Sequence, residues 1–350
     1  MKIQDVLVLK RGYDLPESKR INGQYLIYSS NGIAGSHNEY KVKGPAVITG
    51  RSGSLGTVQY TENNCWPLNT TLYVSDFKGN NPKYISYLLQ MLHLEKYGSG
   101  SAVPTLNRNH LDNLEVTFHS LIEQQHIVDI IGSIDYKIEN NNKIIEKSYE
   151  LLDLRMKKLM IGKSKKIISD FKEIEIIGSG INKFDREKIY LDTSCVAGNS
   201  IIDTSYNVSY NERPSRANMQ PIINSVWFAK LKNSPKHIIV KDYSNEILNN
   251  YVFSTGFMGI KMPEEKFDLL AIYFISDIFD KEKDSLSIGA TMQSINNNTF
   301  KNMYIPKFIE NDYKEFNDIS NDILKAIYSM ELENYKLNKL KQLYLKKFFG

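Results

Sequence analysis

A glycine-rich loop that contains one arginine lies in the first third of the chain, where the sequence runs Gly50-Arg51-Ser52-Gly53-Ser54-Leu55-Gly56. The loop lacks the Lys-Ser/Thr ending of a nucleoside-triphosphate loop, and no helical pattern follows it. Two interpretations remain open. It is a tight hairpin, or it is a loop of backbone amides that meets a phosphate, to which Arg51 adds charge.

A second polar loop lies in the other half of the chain and runs from Asn211 to Asn218 around a single proline. It carries Arg213 and Arg216, and the apolar Trp227-Phe228-Ala229 downstream leads into Lys230-Leu231-Lys232. Arginine can donate two hydrogen bonds to guanine and asparagine can pair with adenine, so the loop has the chemistry to recognise base edges. An ordinary salt-bridged loop is the alternative.

Other patterns that could indicate catalysis are weak. Asn81-Pro82-Lys83-Tyr84 differs from the motif of amino-methyltransferases at Lys83, and we expect it to be a turn that opens a helix. Asp14, Glu39 and Lys41 could imitate the acidic-acidic-lysine arrangement of a metal-dependent nuclease. The histidines form no paired ligand set. The sequence therefore contains no intact catalytic or cofactor motif, and we expect neither a cofactor nor a metal in this chain.

The chain repeats itself at an offset of 189 residues, because residues 100–109 align with residues 289–298. Without a gap, Leu111 then aligns with Phe300 and Leu114 with Met303, and the match runs on to the end of the chain. Such self-similarity indicates a duplicated structural unit. The repeat predicts a globular domain followed by a long helix, twice.

Two long helices are predicted over residues 122–161 and 312–349, because both stretches have helical periodicity and contain no proline. Each has a narrow apolar stripe with polar interruptions, notably at Asn141 and Asn334. Such a stripe is typical of a coiled-coil seam, in which a buried asparagine fixes register at some cost in stability. We therefore expect the two helices to pair with each other as an antiparallel coiled coil with pseudo-twofold symmetry, although packing of each helix on its own domain is the alternative.

Both helices also carry apolar residues beyond the single stripe that a two-helix coil can cover. This surplus predicts a surface on which other chains dock. The predicted partner-binding residues are Ile130, Ile144, Leu151 and Leu154 on the first helix, and Ile319, Leu324, Leu332 and Leu343 on the second.

The globular halves show a mixed α/β pattern of short strands and helices, with strands near residues 45–49 and 56–60 and a helix over residues 267–279. The predicted fold class is α/β (α+β). We divide the chain into a first domain at 1–121, a first long helix at 122–162, a second domain at 163–310 and a second long helix at 311–350.

Composition excludes several classes of protein. Of the 350 residues, 41% are hydrophobic, which excludes a disordered or collagen-like chain. The two cysteines, Cys65 and Cys195, share no metal spacing and suit a reducing cytosol, and neither a signal peptide nor a membrane span is evident. Residues 1–163 hold 19 Lys and Arg against 16 Asp and Glu, and the remainder holds 25 against 24. A nearly neutral chain that binds DNA concentrates its charge locally or relies on a partner.

Several segments together resemble the specificity (S) subunit of type I restriction-modification enzymes. The segments that carry the resemblance, in chain order, are Ser29–Gly35, Gly53–Val58, Trp66–Leu72, Pro104–Asn107 and Glu123–Gln125, with Arg213–Asn218 similar to a second variety of target-recognition domain. The resemblance covers essentially the whole chain. The second half departs from it, because Gln293-Ser294-Ile295 stands in place of Pro-Thr-Leu and the second long helix begins at Asp312 without Glu-Gln-Gln.

This resemblance implies a non-catalytic, DNA-binding subunit that acts in the cytoplasm. Two target-recognition domains would each read one half of a split, asymmetric site in double-stranded DNA. The helices would separate these domains and dock two methyltransferase (M) subunits, which bind S-adenosylmethionine, and restriction (R) subunits would add ATP- and Mg-dependent cleavage. From side-chain chemistry and loop context, the expected DNA contacts are Arg51, Ser52, Asn69, Thr70 and Arg108 in the first domain, and Arg213, Ser215, Arg216, Asn218, Lys230 and Lys232 in the second.

Two other functional classes remain as alternatives at this stage. One is the metal-dependent nuclease based on Asp14, Glu39 and Lys41, which would be active on DNA with magnesium. The other is a coiled-coil protein scaffold without nucleic acid, which would show no salt-dependent binding to DNA.

Overall fold

A computed structural model describes residues 1–99, 104–203, 206–289 and 292–350 of the chain. Residues 100–103 and 290–291, which belong to the two aligned segments of the sequence repeat, lie outside the described residues. Internal contacts divide the chain into two units. The first unit contains Met1–Asn140 and Asn334–Gly350, and the second contains Asn141–Glu333. Each unit combines strands and helices, so the predicted mixed α/β class is confirmed.

The first unit contains short strands and helices followed by the start of a long helix. Its strands are β1 Val8–Arg11, β2 Tyr25–Ser29, β3 Gly32–His37, β4 Ala46–Gly50, β5 Val58–Thr61, β6 Cys65–Pro67, β7 Thr71–Asp76, β8 Gly98–Ser99 and β9 Thr105–Leu106. Its helices are α1 Ile3–Val6, α2 Pro82–Met91, α3 Arg108–Leu111 and α4 Leu121–Met160, the last of which continues into the second unit.

The first unit is organised around strand β4, which is buried at every residue. Strands β7 and β5 pair with it in antiparallel fashion, and the sheet order is β1-β7-β4-β5. Helix α2 covers this sheet with Tyr84, Ile85 and Leu88. The predicted turn at Asn81 is confirmed, because its side chain accepts hydrogen bonds from the N–H groups of the next residues and so caps α2.

The second unit follows the same plan with more strands. Its strands are β10 Lys165–Ile167, β11 Glu175–Ile176, β12 Lys188–Leu191, β13 Val196–Ala197, β14 Ser200–Ile201, β15 Tyr206–Val208, β16 Ala217–Met219, β17 Ser225–Ala229, β18 His237–Val240, β19 Tyr251–Ser254, β20 Phe257–Lys261 and β21 Tyr304–Pro306. Its helices are α5 Asn245–Asn250, α6 Glu264–Phe274, α7 Asp277–Ser285, α8 Asn297–Lys301 and α9 Glu310–Phe349, the last of which ends in the first unit.

The sheet of strands β11-β20-β17-β18 repeats the first unit's order β1-β7-β4-β5, with β17 in the place of β4. The 189-residue offset holds in three dimensions as well. Asn107 caps α3 and Asn296 caps α8, and the aligned residues Leu111 and Phe300 are both fully buried. The repeat predicted from the sequence therefore corresponds to two structurally equivalent units.

The single helix predicted over residues 267–279 is wrong. Helix α6 ends at Phe274, and a new helix α7 begins at Asp277. Ser276 lies between them, and its hydroxyl accepts a hydrogen bond from the N–H of Phe279. A serine in this position accepts a hydrogen bond from a free amide of the new helix, and this local bond separates the two helices although apolar residues lie on both sides of it.

The two long helices, α4 and α9, run antiparallel. In the first unit Lys341 lies 2.6 Å from Asp135, and in the second unit the Asn141 amide donates to Glu333 at 2.8 Å. Higher numbers on α4 therefore face lower numbers on α9. Both predicted seam asparagines, Asn141 and Asn334, are buried. The predicted pairing of the helices is thus confirmed.

Each unit builds its core around one end of the helix pair. Ile127, Ile131 and Leu345 belong to the core of the first unit, whereas Leu152 and Leu324 belong to the core of the second. The prediction that Leu324 binds a partner is wrong, because its side chain is only 3% exposed and packs in this core.

Leu152 and Leu154 provide a matched test of this arrangement. Leu152 is fully buried and Leu154 is 66% exposed on the same helix. We expect Leu152→Ala to lower the free energy of unfolding by about 2–5 kcal/mol, because it leaves a cavity. Leu154→Ala should change it by about 0.5 kcal/mol or less. Urea unfolding followed by circular dichroism measures both values, and equal losses would show that α4 does not bury the predicted face.

Candidate nucleic-acid interface

The glycine-rich loop after β4 is held by its backbone. The N–H groups of Arg51 and Ser52 both donate to the carbonyl oxygen of Thr70, at 2.9 and 3.1 Å. The carbonyl of Arg51 accepts from the N–H of Leu106 at 2.8 Å. A side chain at Gly50 would place its Cβ 1.8 Å from the carbonyl oxygen of Ser54, so the tight turn requires glycine. Among the described residues, the Arg51 guanidinium has no carboxylate partner.

Asn69 and Thr70 lie beside this loop. The amide of Asn69 donates to the carboxylate of Asp14, and its carbonyl accepts from the guanidinium of Arg11 at 3.4 Å. The hydroxyl of Thr70 is buried without a hydrogen-bond partner in the described structure. The structure therefore brings Arg51, Ser52, Asn69 and Thr70 together and adds Arg11, which sequence analysis missed.

Arg108 lies two residues beyond Leu106, at the start of α3. Its guanidinium donates to the carbonyl of Leu9 at 3.4 Å, and the residue is exposed. The backbone hydrogen bond between Leu106 and Arg51 brings this part of the chain close to the glycine-rich loop.

The nuclease alternative has no support. Asp14 is bonded to Asn69, and the ammonium of Lys41 lies 4.9 Å from the centre of the Trp66 ring. Across the described ranges, no group of three His, Cys, Asp or Glu side chains could hold a metal ion.

The second unit repeats the loop at the end of its central strand. The N–H of Lys230 donates to the carbonyl of Gly256 at 3.0 Å, and the carbonyl of Lys230 accepts from Ile295 at 2.9 Å. Ile295 is 189 residues after Leu106, so Lys230 takes the position of Arg51. Each unit therefore holds one cationic residue by the same two backbone hydrogen bonds, one from its N–H and one to its carbonyl. We call this pair of bonds the backbone frame.

Residues 230–236 form a turn that we call the basic hairpin, since it carries Lys230, Lys232 and Lys236 between β17 and β18. The ammonium of Lys232 donates to the side chain of Gln293 at 2.8 Å, and that of Lys236 donates to the carbonyl of Thr193 at 2.7 Å. Lys236 was missed by sequence analysis, because only the fold shows that it closes the same turn. Burial and the nearby Arg216 lower the pKa of Lys230.

The two arginines of the proline loop have different surroundings. Arg213 donates to the carbonyls of Ala217, at 3.1 Å, and of Tyr210, and it lies over the Tyr210 ring. These bonds hold its guanidinium against its own loop, so its role as a DNA contact stays a prediction. Arg216 instead points outward with its side chain 60% exposed, and its nearest carboxylate, Asp192, is 4.0 Å away.

Ser215 is exposed in the same loop, whereas Asn218 is half-buried and its carbonyl accepts from the N–H of Gly180 at 2.8 Å. Burial raises the pKa of Asp192, but hydrogen bonds from Tyr190 and Ser194 together with the charge of Arg216 outweigh it, and the pKa lies below its ordinary value. The carboxylate is thus charged and balances part of the positive charge in this loop.

These side chains can donate hydrogen bonds to phosphate oxygens and to base edges. Among the described residues, no helix is long and apolar enough to span a membrane.

The long helices expose several of the apolar residues predicted to bind a partner. In the second unit Ile144, Leu151 and Leu154 are exposed on α4 and Ile319 is exposed on α9, and in the first unit Leu343 is exposed on α9. Ile130 and Leu332 are half-buried.

Part of the chain is similar in sequence to known DNA specificity proteins. Residues 1–147 match the family model described as the type I restriction modification DNA specificity domain. Over 124 residues the chain is 28% identical to the type I restriction enzyme EcoprrI specificity subunit of Escherichia coli. This match covers 35% of the chain and 31% of that relative, so the aligned region spans about a third of the relative's length.

The fold has a relative among solved structures that covers all of the chain. The S subunit of a type I restriction-modification system from M. genitalium superposes with a TM-score of 0.60 over 100% of this chain and 95% of that one. Sequence identity is 16%, so this similarity concerns the fold.

Arg213 and Arg216 give a matched test of the interface. We expect Arg216→Ala to weaken binding to cognate DNA by about 1–3 kcal/mol, since its guanidinium is free to donate to a base or a phosphate. If it reads guanine, discrimination at one base pair is lost, and if it holds a phosphate, all sequences weaken equally. Arg213→Ala should instead lower the melting temperature, because it removes bonds within the loop. Wild-type DNA affinity of Arg216→Ala would exclude this residue from the interface.

Proposed function

We propose that this chain is the non-catalytic specificity subunit of a type I restriction-modification system, because residues 1–147 match the family model of its DNA specificity domain. In this proposal it acts in the cytoplasm and reads a bipartite, asymmetric site in double-stranded DNA. It recruits the methyltransferase (M) and restriction (R) subunits that modify or cleave the DNA.

The observation that carries the proposal is the pair of equivalent cationic positions. Arg51 and Lys230 each follow the central strand of a unit and are held by the same two backbone hydrogen bonds. Two equivalent frames with different side chains suit two half-sites with different sequences. A single-site DNA-binding protein would not need the second frame.

The division of labour follows from side-chain chemistry. A flexible ammonium such as that of Lys230 suits a phosphate, whereas a guanidinium such as that of Arg51 or Arg216 can form two parallel hydrogen bonds with guanine. With a formal net charge of only +4 for the whole chain, these few cations contribute little non-specific affinity. The partners would therefore supply many of the phosphate contacts.

No cofactor is assigned to this chain in the proposal. S-adenosylmethionine would be bound by the methyltransferase subunits, and ATP and Mg by a restriction subunit where one is present. We also propose that the chain consists of four parts, with boundaries after residues 121, 162 and 310.

Sequencing of methylated adenines in cells with and without this gene tests the function. We expect one split motif to lose methylation when the gene is removed and to regain it on complementation. Arg51→Ala should reduce methylation, and Arg51→Lys should restore it only if the residue holds a phosphate. A methylation pattern that is the same with and without the gene would refute the proposal. In that case, absence of salt-dependent DNA binding would favour the protein scaffold.

The exposed apolar residues of the helices support the proposed partners. Ile144, Leu151 and Leu154 form an exposed set on one helix, and the repeat offers a related surface on the other, so we propose two methyltransferase subunits for one copy of this chain.

Leu154→Glu should therefore abolish capture of a co-expressed type I methyltransferase subunit from the same genome, because it places a charge in an apolar interface. Ile202→Glu is the control, since Ile202 is also exposed but lies outside the long helices. Light scattering of the wild-type complex gives the stoichiometry. A chain that binds its DNA site tightly as a monomer and ignores the methyltransferase would contradict this part of the proposal.

A further inference from the structure

Lys283 on helix α7 is fully buried, with 0% of its side chain exposed. Its ammonium lies 3.0 Å from the carboxylate of Asp280 and 3.7 Å from that of Asp284. It also donates to the carbonyl oxygens of Ser234, at 3.1 Å, and of Ala229, at 3.4 Å. A buried ammonium is costly to desolvate, so these bonds are needed to hold it in place.

The carbonyls of Ala229 and Ser234 lie on the two sides of the basic hairpin. Ala229 is the last residue of β17 and immediately precedes Lys230, whereas Ser234 lies on the return side of the basic hairpin. The ammonium of Lys283 therefore links both sides of the turn that carries Lys230 and Lys232. Asn233, within this turn, has a positive φ of 55°, which marks the tight bend that the link spans.

A second set of polar contacts, made by Asp280 and His237, supports this link. The carboxylate of Asp280 also lies 3.2 Å from the imidazole of His237, whose other nitrogen is 2.9 Å from the side chain of Asn199. His237 begins the strand that follows the hairpin. Burial raises the pKa of Asp280, but His237 and Lys283 outweigh this effect and the pKa lies below its ordinary value. The charged carboxylate of Asp280 thus holds the ammonium of Lys283 close to the turn.

We propose that Lys283 is a positioning residue that fixes the orientation of the basic hairpin, so that Lys230 and Lys232 meet one half of the DNA site. This inference rests on the proposed DNA-specificity function. Lys283 itself does not touch DNA, because its side chain is enclosed.

Hydrogen exchange on the full-length chain tests the positioning without DNA. We expect Lys283→Met to speed exchange of the Lys230, Lys232 and Lys236 amides by about tenfold, because the turn loses the bonds that link its two sides. Lys281→Met is the control, since Lys281 is exposed on the same helix and pairs only with Asp277 among the described residues. Unchanged exchange in the hairpin would overturn the proposal. Lys283→Leu, a second apolar variant, serves if the methionine variant unfolds, and unfolding of both would show a role in stability only.

DNA binding by the co-expressed complex separates this inference from the function on which it depends. The probes are a duplex with the site mapped by adenine methylation and duplexes altered in one half. We expect Lys283→Met to weaken cognate binding about tenfold and to lose discrimination in one half only, with an unchanged salt slope. A reduced slope, or full discrimination in both halves, would overturn the inference. Absence of sequence preference in the wild-type complex would instead refute the proposed function.

Discussion

The structure depends on the shared burial of two long antiparallel helices. Each unit uses residues from both helices in its core, for example Ile131 with Leu345 in one and Leu152 with Leu324 in the other. Segments that are about 200 residues apart in sequence therefore complete the same core. Burial of apolar side chains supplies the main favourable free energy of folding. Each globular part therefore needs a helix segment from the other repeat to complete its core.

Carboxylates tie the globular parts to the helices in different ways. In the first unit Asp135 of α4 accepts from Tyr87 at 2.7 Å and pairs with Lys341. In the second unit Asp268 of α6 pairs with Lys241 at 2.8 Å and accepts from Ser320 of α9 at 2.7 Å. The carboxylate belongs to a long helix in the first unit and to the globular part in the second. The repeat thus preserves the architecture without preserving the polar contacts.

Much of the fold was predictable because it follows from periodicity and repetition. The long helices were predicted within two residues of their observed ends, and Asn141 was placed correctly in the seam. Errors arose where one distant or local contact decides the outcome. The apolar Leu324 faces a core instead of a partner. The sequence also gives no sign of the environment of Glu331, whose pKa burial raises to about 7 although Ser200, far away in sequence, donates a hydrogen bond to it.

The candidate interface separates what the backbone fixes from what the side chains can vary. The bonds that frame Arg51 and Lys230 are made by N–H and carbonyl groups, so they do not depend on which residue stands there. The residues that surround each frame differ, with Asn69 and Thr70 beside one and Arg216 and Gln293 near the other. A protein built in this way can change its preferred bases by side-chain substitution while the fold stays intact. In the second unit the buried ammonium of Lys283 also donates to carbonyl groups on both sides of the basic hairpin, so a neighbouring helix supports this loop.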